Sequence, residues 1–124
     1  MVDLQYHLVW CTKYRKPVLV NGTEQSLKNS LQQTAETIKI NIAEMECMPD
    51  HIHLLVECSP QHFIPDMIKV LKGNSARAIF IANPDLKKQL WGGHLWNPSY
   101  FIATVSDNTR KQVQEYIASQ KTRN

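Results

Sequence analysis

An α+β fold of the split βαβ type is what this sequence predicts, and three observations predict it. Strand-like and helix-like segments follow one another in the order strand, helix, strand, strand, helix, strand, helix. Only Pro49-Asp50 separates the second strand from the third, a tight turn that makes the pair a hairpin. Three segments carry apolar residues at the spacing of an amphipathic helix.

Each element has its own reason. Leu4 to Trp10 is rich in aromatic and branched residues and reads as a strand. Thr12-Lys13-Tyr14-Arg15-Lys16-Pro17 is a basic loop, and Asn21-Gly22-Thr23 offers a turn and a helix cap. Leu27, Leu31, Ala35 and Ile38 then mark the first helix. Ile40 to Met48 and His51 to Cys58 are the hairpin strands. The second helix starts near Phe63, with Pro65 in its first turn and Ile64, Ile68, Leu71 and Ile79 on one stripe; Asn83-Pro84 ends it. Leu90 to Pro98 is an irregular aromatic loop, and Ser99 to Val105 is the fourth strand. Asp107-Asn108 starts a C-terminal helix holding Val113, Tyr116, Ile117 and Gln120. The expected architecture is ferredoxin/RRM-like: an antiparallel sheet with helices on one face, plus the C-terminal helix.

The chain has 124 residues, which fits a single domain spanning 1–124. Hydrophobic residues make up 43%, enough for a core rather than a disordered chain. The formal net charge of +3 permits a polyanionic partner without demanding one. Cys11, Cys47 and Cys58 form no C-x-x-C pair and are odd in number, which points away from a disulfide framework and towards a reducing cytoplasm. No apolar run reaches the ~20 residues of a membrane span, and the N-terminus shows no signal-peptide pattern.

The chemistry starts at His51-Ile52-His53-Leu54-Leu55-Val56-Glu57. Strand side chains alternate, so Ile52, Leu54 and Val56 face the core while His51, His53, Leu55 and Glu57 share the other face. The two imidazoles are then roughly 6–7 Å apart along the strand. Neutral imidazoles at this spacing can share one divalent ion, although paired surface histidines also occur without metal. Glu57 reads either as a partner that holds a histidine or as a solvated strand-end carboxylate. The His-x-His-x-x-x-Glu spacing also occurs in cupin-type proteins, but four glycines and three helical patterns exclude that fold.

On the last helix, Tyr116 and Gln120 stand one turn apart on one side. By itself Tyr116 reads as a packing residue with a wet hydroxyl. Beside a metal it gains a role. A phenol with a pKa near ~10 is a weak nucleophile, and an ion can orient a phosphate and stabilise its developing charge. Two histidines leave coordination positions open, and the Gln120 carbonyl could fill one.

These segments resemble the single-tyrosine HUH transposases of the smallest bacterial and archaeal insertion sequences, the TnpA type. The matching stretches are His7-Leu8-Val9-Trp10 with Thr12-Lys13-Tyr14-Arg15, Met48 to Leu55, Leu71 to Arg77, Leu95 to Tyr100, and Tyr116 to Gln120. The similarity runs from about Leu4 to Gln120, in order. It implies that His51, His53 and Gln120 bind Mg2+ or Mn2+. It implies that Tyr116 attacks single-stranded DNA, forming a 5′-phosphotyrosine and a free 3′-hydroxyl that later rejoins strands, with no nucleotide cofactor. It also implies DNA hairpins at element ends as partners, and a homodimer in which the tyrosine helix of one subunit completes the histidine site of the other.

DNA contact is expected at Lys13, Tyr14 and Arg15 in the basic loop, at Lys72 and Arg77 on the second helix, and at Trp96. Lys16, Lys69, Trp91 and His94 are further candidates. Each basic residue reads equally as solvated charge, and Trp96 equally as core. His7 and His62 read as ordinary structural or surface residues. Two other functions remain open on the residues alone: a non-catalytic single-strand-binding module or repressor on the same fold, and a metal-dependent hydrolase that uses water.

Overall fold

The computed structural model describes residues 4–90, 93–105 and 109–121. Strands β1 (Leu4–Cys11), β2 (Asn41–Met48), β3 (His51–Cys58) and β4 (Phe101–Thr104) form one sheet in the spatial order β2-β3-β1-β4. Every neighbouring pair is antiparallel. Between β1 and β2 lies α1 (Gly22–Ile38), and between β3 and β4 lie α2 (Ile64–Ala82) and α3 (Pro84–Gln89). α4 (Thr109–Lys121) follows β4. The expected split βαβ order is therefore present.

Alternation in β3 decides the layering. Ile52, Leu54, Val56 and Cys58 are buried, while His51, His53, Leu55 and Glu57 are only half-buried. The buried side joins Leu8 and Trp10 of β1, Leu27 and Leu31 of α1, and Ile68, Leu71 and Ile79 of α2 in one apolar core. Fully burying one such side chain contributes roughly 1.5–3 kcal/mol. α1 and α2 pack on one another over this face. α4 packs on β1 and β4, against the opposite face. There Val9 and Cys11 of β1 are also fully buried.

β2 contains a bulge between Ile42 and Glu44. Without it, Ile42, Glu44, Glu46 and Met48 would share the core face. The inserted residue flips the parity, so Met45 and Cys47 pack against the core while Glu44 and Glu46 turn to the open face.

Three local expectations are corrected. α1 begins at Gly22, and the preceding Asn21 has φ 54 and makes no side-chain cap hydrogen bond. Helix resumes after Asn83-Pro84 as α3, because proline fits a first helical turn, and Leu86 anchors it in the core. The fourth strand starts at Phe101 rather than Ser99. Asn97 Oδ1 accepts hydrogen bonds from the Ser99 N–H (3.0 Å) and hydroxyl (2.9 Å), and this turn interrupts strand pairing. Trp91 and the helix start expected at Asp107-Asn108 lie outside the described residues.

Candidate functional site

Cross-strand register assembles the open face row by row. Phe101, Val9, His53 and Glu46 form one row from β4 to β2. Ala103, His7, Leu55 and Glu44 form the next, and Cys11, His51 and Met48 a third. His51 and His53 thus stand on adjacent rows of one strand, as strand alternation requires.

Each imidazole has a partner. His51 Nδ1 lies 2.8 Å from Asp50 Oδ1. His53 Nε2 lies 3.0 Å from His7 Nδ1, with ring centroids 5.2 Å apart. His7, which the sequence marks as an ordinary structural or surface residue, stands against His53 on this face. No sequence signal reveals this, because the β1–β3 register brings the two rings together across 46 positions. The sequence marks Asp50 as a turn residue, and its place next to His51 is the signal for the carboxylate–imidazole contact. Burial, with His7 beside it, holds His53 below the ordinary imidazole range, so the ring is neutral. Burial alone would raise the Asp50 carboxyl, but hydrogen bonds from His51 and Arg15 outweigh it and hold the group below its usual value. Glu57 holds no histidine; its carboxylate accepts from Gln5 Nε2 (2.7 Å) and Asn41 Nδ2 (2.5 Å), which lower its pKa.

Tyr116 and Gln120 meet around Ser99. The Tyr116 hydroxyl is 3.1 Å from Ser99 Oγ, and Gln120 Oε1 is 3.5 Å from the same oxygen. Gln120 is buried. The Tyr116 ring packs against Phe101 at 5.9 Å, so it borders the row that contains His53. Arg15 Nη1 donates to the Ile117 carbonyl at 3.2 Å and ties α4 to the 3-10 turn Lys13–Arg15.

Among the described residues, no three His, Cys, Asp or Glu side chains gather into a metal-holding group. The donor chemistry fits a divalent ion all the same. Two imidazoles, one of them held neutral by burial, leave room for oxygen ligands of other kinds: an amide carbonyl, water or phosphate.

The residues expected to touch DNA divide into two groups. Tyr14 is exposed, Lys13 Nζ lies 5.3 Å over its ring, and Arg77 is exposed with a bond to Asn74 Oδ1. Lys72 and Trp96 are engaged inside the fold. Lys72 Nζ donates to the carbonyls of Asn97 (2.7 Å) and Ser99 (3.1 Å), and burial pushes its pKa down to about 8. Trp96 is 6% exposed, and its indole N–H points at the Lys72 carbonyl and Ser75 Oγ. Its ring packs edge-on to Trp10. Arg15 is shielded against Asp50. His62 is structural: it accepts from Ser59 N and bonds the Ile38 carbonyl. Among the described residues no helix is long and apolar enough to cross a membrane.

The sheet buries one face and carries His51 and His53 on the other, where α4 sets Tyr116 against Phe101; fold and family together define a DNA-processing transposase. Residues 1–120 match the family described as "Transposase IS200 like", and the chain belongs to that family. It is 56% identical over 118 residues to the ISDra2 transposase TnpA of Deinococcus radiodurans, covering 95% of this chain and 84% of that protein. It is 32% identical over 118 residues to the transposase for insertion sequence element IS200 of Salmonella typhimurium, covering 95% and 77%. A crystal structure from Deinococcus radiodurans R1 described as that of a transposase superposes with a TM-score of 0.92 at 50% identity, covering 97% of this chain and 92% of that one. A REP-associated tyrosine transposase bound to a REP hairpin shares the fold at a TM-score of 0.62 and 11% identity, covering 91% and 63%.

Proposed function

We propose that the protein cleaves and rejoins single-stranded DNA at insertion-sequence ends, with Tyr116 as the nucleophile. Its phenolic oxygen forms a bond to phosphorus while the bond to the 3′-oxygen breaks; the phenol gives up its proton, and the departing 3′-oxygen takes one. The product is a 5′-phosphotyrosine and a free 3′-hydroxyl. A later attack by a 3′-hydroxyl on such a linkage restores a phosphodiester and releases the tyrosine, so no nucleotide cofactor is needed.

The observation that carries this reading is the position of Tyr116. It stands on the helix over the open face and packs on Phe101, in the same row as His53. In this reading His51, His53 and Gln120 hold Mg2+ or Mn2+. That ion would orient the phosphate and offset its developing charge. His7 and Asp50 restrict the two imidazoles through their ring nitrogens.

The proposed partner is a DNA hairpin, in keeping with family membership. The exposed Tyr14 and Arg77 and the half-buried Lys13 are the groups for phosphates and unpaired bases, and Lys13 and His94 line one groove with Phe80 and Asn97. The working assembly in this reading is a homodimer in which each tyrosine helix alternates between the position over its own sheet described above and the histidine site of the other subunit, which it completes.

The test is incubation of labelled single-stranded hairpin ends with Mg2+, followed by a denaturing gel. A covalently shifted band is expected. Tyr116→Phe or chelation of the ion should abolish it while hairpin binding persists. An adduct in the phenylalanine variant would remove Tyr116 from the role. Binding without any adduct in the intact protein would favour a non-catalytic binding module.

A further inference from the structure

We propose that Asp50 and Arg15 are positioning residues that form one clasp: Asp50 sets the tautomer of His51, and Arg15 docks the tyrosine helix. This rests on the reading of His51 and Tyr116 given above. Asp50 stands between two donors. Its Oδ1 lies 2.8 Å from His51 Nδ1, and its Oδ2 accepts from Arg15 Nε at 2.8 Å and forms an ion pair with Nη2 at 2.6 Å. The remaining arm of the guanidinium, Nη1, reaches the carbonyl of Ile117, the residue after Tyr116. One carboxylate and one guanidinium therefore join an imidazole of the open face to the helix that bears the tyrosine.

Shielding gives the arrangement weight. The side chains of Arg15, Asp50 and His51 are 12%, 19% and 15% exposed. A fully exposed pair would hold little geometry, whereas a shielded guanidinium fork on a carboxylate is directional.

The backbone is built around the same contact. Tyr14 and Arg15 both adopt left-handed conformations, with φ of 56 and 54, and neither is glycine. Side chains with a Cβ disfavour that region, and it persists where the surroundings impose it. Here the reversal carries Arg15 back towards Asp50. Thr12 stitches the two turns together, donating its N–H to the Asp50 carbonyl (2.9 Å) and its hydroxyl to the Lys16 carbonyl (2.7 Å).

Chemistry then restricts His51. An ionised carboxylate only accepts, so a neutral His51 ring facing it carries its proton on Nδ1. The lone pair of Nε2 is the one left for an ion. Only an acid serves both donors. Asparagine has one acceptor oxygen and one NH2 group, so Asp50→Asn must leave either Arg15 or His51 without its acceptor.

The test uses the full chain and three readouts: the His51 tautomer by nitrogen NMR, amide exchange of α4, and Mn2+ affinity by spin-resonance titration. Asp50→Asn is expected to weaken Mn2+ binding about 10–100-fold, and to alter the His51 tautomer, speed α4 exchange, or both. Arg15→Lys, which keeps the charge but not the fork, should speed α4 exchange with the Nδ1–H tautomer retained. Wild-type tautomer and wild-type exchange together in Asp50→Asn would overturn the proposal. So would unchanged α4 exchange in Arg15→Lys. The tautomer and exchange readouts need no ion. A wild-type protein that fails to bind Mn2+ would therefore sink the metal assignment while leaving the clasp to be judged by the other two.

Discussion

The Tyr116 hydroxyl and Ser99 Oγ lie 3.1 Å apart, and Ser99 in turn is held by Asn97 Oδ1 at 2.9 Å. The turn that cuts β4 short is thus also the contact that receives the tyrosine. Lys72 braces the same turn from α2 through the carbonyls of Asn97 and Ser99. The interruption of the sheet edge and the hydroxyl of the candidate nucleophile meet at Ser99.

Ser99→Ala tests that link. One hydrogen bond of this kind contributes about 0.5–1.5 kcal/mol, so urea unfolding should show a loss of that size. Adduct formation should change several-fold in rate without vanishing, because the phenol and the imidazoles remain. Complete loss of the adduct in a folded Ser99→Ala protein would show that the hydroxyl does more than receive the tyrosine.

Leu54→Ala tests the layering. Leu54 is fully buried in the central strand β3, and removing it should cost about 2–5 kcal/mol in denaturant unfolding. Leu55→Ala, one residue on and half-buried on the open face, should cost clearly less. Equal losses would contradict the assignment of faces.

The pH dependence follows from His53. Its folded pKa is lowered from 6.5 by burial and by His7, so the unfolded chain binds a proton there more readily than the folded one. Stability is then full above about 6.5 and falls as pH drops from there through the folded value. Unfolding measured without divalent ions at several pH values should show this slope in the wild type and a shallower one in His53→Asn. Parallel slopes would count against a neutral, buried His53.

Salt dependence separates the basic residues. Lys13→Ala and Arg77→Ala should each lower hairpin affinity and reduce the dependence of log affinity on log salt by about one unit. Fluorescence anisotropy over a salt series reads both. If Lys72→Met lowers that slope as much as these, the ammonium contacts phosphate despite its two carbonyl partners.

Much of the fold was legible because periodicity is local. The alternation of Ile52, Leu54 and Val56 with His51, His53 and Leu55 assigned the faces of β3 before any strand was paired. Pro49-Asp50 marked the hairpin, and the stripe of Ile68, Leu71 and Ile79 marked the buried side of α2. α3 escaped because a proline reads as a stop and equally as a start.

Residue identity and spacing alone established that two imidazoles share the open side of one strand and that Tyr116 and Gln120 share one side of a helix. Tertiary structure decided who stands beside them: His7 against His53, Asp50 and Arg15 behind His51, and Ser99 under Tyr116. It also drew Trp96 and Lys72 into internal contacts, although their side-chain types suit DNA equally well. The physical reason is the range of the interactions. Periodicity sets the direction of a side chain from its near neighbours, whereas its partner depends on strand register and on helix placement across tens of residues, which no local pattern encodes.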